Sequence, residues 1–113
     1  INQDKSVGQR IVNCHDGVGE IIFREVFANN DFQSNLEHLH ETIIPPHSTI
    51  GYHEHKGNEE VYYIVRGRGA MIVNGKQINV NPGDAIITQS GDSHGLQNTS
   101  DQDMQILVFQ CGY

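Results

Sequence analysis

At 113 residues the chain has room for one domain built on one hydrophobic core. Hydrophobic residues make up 36%, with four Tyr, four Phe and no Trp, a composition that suits a small globular β protein. Fourteen acidic residues against seven basic ones give a formal net charge of −7, and the scattered Lys and Arg form no basic run, which argues against nucleic-acid binding and against docking on anionic membranes.

No apolar stretch approaches the length of a membrane span, and the start Ile1-Asn2-Gln3-Asp4-Lys5 has no signal-peptide pattern. Two cysteines, Cys14 and Cys111, make no disulfide framework and read as free thiols rather than a pair joining the terminal strands. A cytoplasmic location is the matching expectation.

In chain order, short apolar runs lie between turn signals: Glu20 to Phe27, Leu36 to Ile44, Val61 to Val65, Ala70 to Val73, Ala85 to Thr88 and Met104 to Gln110. Pro45-Pro46, Asn74-Gly75, Asn81-Pro82-Gly83 and Ser90-Gly91-Asp92 mark turns, Asn74-Gly75 being a strong two-residue hairpin signal. Phe32 to Leu39 is the one weak candidate for a helical turn. Many short strands at regular spacing indicate an all-β sandwich or barrel.

Potential metal donors concentrate in Tyr52-His53-Glu54-His55-Lys56-Gly57-Asn58-Glu59-Glu60. Side chains alternate along a strand, so His53 and His55 share a face. A Gly-Asn turn follows, and Glu60 opens the returning strand with its carboxylate over the same face. Two imidazoles and a carboxylate are donors that zinc, iron, nickel, copper and manganese accept. Paired histidines alone would be weak evidence, since a polar strand face often carries them. The later Gly67, Gly83, Gly91, His94 and Asn98 strengthen the pattern.

In that order these residues resemble the cupin superfamily. The family's first motif, G-x5-H-x-H-x3-4-E-x6-G, is matched at His53, His55, Glu60 and Gly67. The second, G-x5-P-x-G-x2-H-x3-N, is matched at Gly83, Gly91, His94 and Asn98. Two positions depart: His47 stands where the first glycine is expected, and Gln89 replaces the proline. Histidine tolerates the positive φ that such a glycine serves, and Gln89 brings an amide near the pocket rim.

The resemblance implies a small single-domain jelly-roll barrel over residues 1–113, with the core barrel at about 36–110 and an N-terminal strand or arm at 1–35. It implies one divalent transition metal (Mn, Fe, Ni, Zn or Cu) held by His53, His55, Glu60 and His94. Open coordination positions would let the ion chelate an oxygen-rich substrate, polarise its carbonyl or activate water. Known cupins include oxalate decarboxylases and oxidases, dioxygenases, isomerases, cyclases and plain ligand-binding domains.

If Glu60 faces inward, Tyr62 and Ile64 do too, and Tyr62 is the best acid/base or hydrogen-bonding candidate. Tyr62 and Ile64, with Met71 and Phe109, are expected as apolar wall. His38 and His40 form a second same-face pair, read either as pocket lining beside the metal or as solvated surface. His15 and His47 read as loop residues. Arg66 and Arg68 point to solvent, and Glu54 and Glu59 alternate away from the ligand face, so an oxalate site would lack a cationic anchor and a mobile acid.

Val61, Tyr63 and Val65 then face outward and apolar, which suggests a homodimer interface unless the strand Ile21 to Phe27 covers them. The functional expectation is a metal-dependent enzyme on a small oxygenated metabolite. The alternatives are a non-catalytic ligand-binding or sensing domain and a purely structural metal.

Overall fold

The computed structural model describes residues 8–113 as ten strands in two antiparallel sheets. The strands are β1 (Gln9–Val12), β2 (Glu20–Phe27), β3 (Leu36–Ile44), β4 (Thr49–Glu54), β5 (Asn58–Arg66), β6 (Gly69–Val73), β7 (Lys76–Val80), β8 (Ala85–Thr88), β9 (Ser93–Asn98) and β10 (Met104–Gly112). The larger sheet runs β1-β2-β3-β10-β5-β8 and the smaller runs β4-β9-β6-β7. Their inner faces close on one another as a jelly-roll barrel, the all-β architecture expected from the patterning. No helix among the described residues is long and apolar enough to cross a membrane.

Alternation along each strand decides what is inside. On β10, Met104, Ile106 and Val108 are buried, while Gln105, Leu107 and Phe109 lie on the other face. On β5, Glu60, Tyr62 and Ile64 are buried, so the inferred strand phase is correct. All of these buried residues but Glu60 join Ile21, Ile44, Ile50, Met71, Val80 and Leu96 in one core.

Register places the polar inward residues side by side. His38 on β3 is opposite Gln110 on β10, Gln110 is opposite Glu60 on β5, and Glu60 is opposite Thr88 on β8. The next inward row is His40, Val108, Tyr62 and Ile86. A sheet face that alternates every second residue thus becomes a transverse row of functional groups.

Asn98, the last residue of the second motif, has a structural task. Its buried amide donates to the carbonyls of Ile44 and Gln102 at 2.8 and 2.7 Å and accepts from the Ser100 backbone. It therefore closes the β9–β10 connection. Gly67 is equally structural: it sits at φ +84°, and a Cβ there would meet Asp103 O at 2.9 Å. Asn74 and Gly75, both at positive φ, form the expected hairpin turn between β6 and β7. His47 takes a φ of 61°, the conformation for which a glycine would ordinarily be chosen.

Two expectations change. Leu36 to Leu39 belongs to β3, because alternation through His38 and His40 outweighs a weak helical pattern, and the short helical turns lie at Cys14–Asp16 and Asn29–Asp31. The segment after Gly91, which carries no clean apolar run, forms strand β9. The strand Ile21 to Phe27 does not cover Val61, Tyr63 and Val65. As β2 it pairs edge to edge with β3 and widens the sheet, leaving Tyr63 and Val65 each 40% exposed.

Candidate metal centre

Two backbone irregularities aim the first two histidines. Between Ile50 and His53 the β4–β9 register shifts: Ile50 pairs with Leu96, and His53 pairs with His94. Three steps on β4 therefore match two on β9, a bulge that re-aims the side chains beyond it. Ile50 and His53 both point inward as a result. The bulge includes Gly51, where a Cβ would lie 1.9 Å from the carbonyl oxygen of His15, so only glycine lets the 14–16 turn lie against β4. After His55 the chain turns through Gly57 and returns as β5, which brings Glu60 back over the imidazoles.

The four side chains converge. His55 Nε2 lies 3.0 Å from His94 Nε2, which lies 3.2 Å from His53 Nε2. Glu60 Oε1 is 3.1 Å from the Nε2 atoms of both His55 and His94. One ligand atom from each of the four residues lies within 4.8 Å of the others. His94 is fully buried and Glu60 and His55 nearly so.

The outward ring nitrogens explain why Nε2 faces the centre. His53 Nδ1 lies 2.7 Å from the carbonyl of Gly51, which can only accept, so the ring hydrogen sits on Nδ1. His55 Nδ1 donates to Asn58 Oδ1 at 2.9 Å, and His94 Nδ1 pairs with Thr88 Oγ1 at 2.7 Å. Such partners fix tautomer and ring orientation in metal sites.

This donor set fits a divalent transition ion. The Nε2 atoms of His53 and His55, whose Nδ1 atoms carry the ring hydrogen, turn lone pairs toward His94 Nε2 at hydrogen-bond distance. Buried Glu60 Oε1 has no donor satisfying it. A cation among these four atoms would relieve that arrangement. Donors each about 2.1 Å from one ion and at right angles stand about 3.0 Å apart, the spacing found among these nitrogens.

The surrounding electrostatics agree. Burial by itself would raise the Glu60 carboxyl, but the imidazoles of His38, His55 and His94 gathered round it hold it well below the usual carboxylate range. It is ionised at neutral pH. Burial lowers His53 to about 4, against the pull of the Gly51 carbonyl, whereas the adjoining Glu60 carboxylate raises His55. Tyr62 is pushed well above its ordinary value, first by burial and then by the Glu60 charge, so its phenol keeps its hydrogen. Its ring centroid stands 4.8 Å from that of His94.

A cavity of about 250 Å³ opens beside the four donors. His38, His40 and Tyr62 line it, together with His53, His55 and Glu60. His38 and His40 stack in parallel at 3.9 Å, and His38 Nε2 approaches Glu60 Oε2 at 3.8 Å, beyond hydrogen-bond reach.

The structure places four other sequence-selected residues away from this cavity. Ile64 and Met71 are fully buried in the core below it. Phe109 lies on the outer face of the larger sheet because Val108 takes the inward position. Gln89 is exposed in the 89–92 turn, where it and Asp92 bond each other, and contributes no rim amide.

Other cavity and supporting residues had no sequence signal strong enough to name them. His15 stacks on His53 at 3.6 Å, and Cys14, Phe23, Ile11 and Ile21 join the wall because β1 and β2 extend the sheet past the barrel mouth. Both cysteines are free, in line with the thiol reading. Asn58, three residues after His55, was visible only as a turn residue. Thr88 required the β5–β8 register.

Comparison with known proteins places this geometry in a family. The model described as "Cupin domain" matches residues 36–110. The chain is 33% identical over 100 residues to a Thermotoga maritima protein called "Oxalate-binding protein", covering 88% of this chain and 83% of that one. A crystal structure of a predicted oxalate decarboxylase from Thermotoga maritima superimposes with a TM-score of 0.93 at 30% identity, over 96% of this chain and 95% of the other. The polyketide cyclase RemF from Streptomyces resistomycificus shares the fold, with a TM-score of 0.80 at 22% identity over 98% and 77% of the two chains. The motif residues, the jelly roll and the family match converge: this chain is a member of the cupin family.

Proposed function

We propose that the protein is a metal-dependent enzyme that binds a small oxygenated metabolite beside a three-histidine, one-glutamate centre. The observation carrying this reading is the convergence of the His53, His55 and His94 Nε2 atoms on Glu60, each ring held by its Nδ1 partner. A divalent transition ion held there supplies Lewis acidity toward a carbonyl or carboxylate oxygen. The chain's own residues do the rest. Glu60 balances one unit of positive charge, the wall from Ile50, Val108 and Tyr62 excludes water, and Tyr62 offers a protonated phenol as hydrogen-bond donor at the cavity floor.

A second reading, metal-dependent ligand binding without turnover, is favoured by what the cavity lacks. Its described lining contains no Lys or Arg, and its only carboxylate is Glu60. Glu54 projects outward to Lys56, and Arg66 and Arg68 are exposed. The relatives' names make oxalate one compound to test under either reading.

The test is reconstitution with manganese, iron, nickel, copper and zinc, elemental analysis, and then calorimetry and product analysis with oxalate and small keto acids. The enzyme reading expects about one ion per chain, ligand binding that disappears on metal removal, and a metal-dependent product. Metal-dependent binding with no product from any loaded form supports the binding reading. Ligand binding untouched by metal removal contradicts both.

The outer face of the larger sheet is the proposed contact between two copies of the chain. Tyr63, Val65 and Ile87 are exposed there on paired strands β5 and β8, with Val61, Leu39, Leu107 and Phe109 beside them. This apolar patch presents the same surface to a two-fold mate. Light scattering at micromolar concentration should return twice the mass of one chain; a single-chain mass contradicts it.

A further inference from the structure

We infer that the ligand of this cavity is a monoanionic metal chelator carrying an apolar, ring-sized body rather than a bare dianion. The inference rests on the metal-centred reading above and follows from charge, wall chemistry and size.

Charge comes first. A divalent ion offset by the ionised Glu60 carries one net positive charge into the site. A chelating monoanion neutralises it. A dianion leaves one unpaired negative charge, and among the described residues no Lys or Arg lines the cavity to receive it. Burying an uncompensated charge is among the costliest events in a protein interior. The chain's formal charge of −7 adds repulsion at longer range.

The wall is mixed. Beside the donors and the His38–His40 stack, Ile11, Ile21, Phe23, Ile50 and Val108 contribute apolar surface from β1, β2, β4 and β10, with the Phe23 ring 5.2 Å from that of His40. A ligand that is all carboxylate would leave these five side chains against water or against oxygen. An apolar body would cover them. Near the donors, His38 Nε2 is buried without a hydrogen-bond partner, and Gln110 lines the same space. They offer an imidazole and an amide to hydrogen-bond the ligand's head.

Size agrees. The cavity holds about 250 Å³, whereas an apolar cavity of about 150 Å³ suffices for benzene. A two-carbon diacid would leave much of the apolar surface uncovered. A chelating head joined to one ring fits the volume and the mixed polar and apolar wall.

The test titrates manganese-loaded protein by calorimetry with benzoylformate, glyoxylate and oxalate. The first two share a monoanionic keto-acid head and differ by a phenyl ring; oxalate is the bare dianion. Benzoylformate should bind at least about tenfold more tightly than glyoxylate, the effect expected from burying one ring, and more tightly than oxalate. Phe23→Ala should weaken benzoylformate several-fold while leaving glyoxylate affinity and metal content unchanged. If that variant loses metal, the wild-type ranking alone decides. Oxalate binding most tightly, or glyoxylate matching benzoylformate, overturns the inference and leaves the metal-centred reading standing. If none of the three binds the loaded protein, the inference is overturned; if the protein does not retain manganese at all, the metal-centred reading fails and takes the inference with it.

Discussion

The barrel carries two His-x-His pairs on two inward strand faces, and only one of them converges with other donors into a group that could hold a metal ion. On β4, His53 and His55 are tied through Nδ1 to Gly51 and Asn58, so their Nε2 atoms are free and aimed at a common point with His94 and Glu60. On β3, His38 and His40 lie parallel at 3.9 Å, held by stacking. Parallel rings cannot point two nitrogens at one ion. The same spacing thus gives a convergent pair where oriented acceptors turn the rings together, and a flat wall where the two rings stack on each other instead. Two histidines make a site only when the surrounding structure fixes their outward nitrogens.

The largest effect should come from removing a donor of the first pair's centre. His94→Ala should lose nearly all retained metal, whereas His15→Ala, which deletes only a ring stacked on His53, should keep most of it. Equal metal content in the two variants would break the distinction between ligand and neighbour. The outward acceptors come next. Thr88→Val and Asn58→Ala should each weaken metal affinity about 10- to 100-fold while the fold persists, as competition with a chromophoric chelator would show. Unchanged affinity would mean that packing alone orients the rings.

The second pair should behave differently. Replacing both His38 and His40 with Ala should preserve about one metal equivalent and reduce ligand affinity instead; loss of metal would make them part of the centre.

The smallest effect is acid sensitivity of the metal-free protein. Burial, then the neighbouring His38, hold His40 down at about 4 in the folded chain, against an ordinary 6.5. Between those values the unfolded chain takes up the proton first, so the contribution of neutral His40 is complete above about pH 6.5 and is lost as pH falls toward 4. His40→Gln should flatten the fall in melting temperature across that window. An unaltered slope would assign the acid sensitivity to other groups.

Much of the barrel was legible because alternation and turn chemistry agree: Glu20 to Phe27, Leu36 to Ile44 and Ala85 to Thr88 are strands from end to end. β9 was hidden because Gly91, Gly95 and its polar residues carry no clean apolar period. The four donors were legible because each belongs to a spaced motif. Their supports were not, since Thr88 on β8 reaches His94 on β9 only across the two sheets, and the bulge at Gly51 is a backbone event without its own residue code. Phe109 misled for a related reason. One position along β10 separates it from Val108, and that single step moves a side chain from the cavity to the outer face. Cavity residues from β1 and the 14–16 turn could be assigned only once β2 was known to extend the larger sheet.

The measurement that tests the account most directly is elemental analysis of the purified, tag-free protein after reconstitution with each of the five metals. The account predicts about one tightly held ion per chain, released on acidification as the imidazoles take up protons. No retained ion from any metal, or retention unchanged at pH 4, would contradict a centre built from His53, His55, Glu60 and His94.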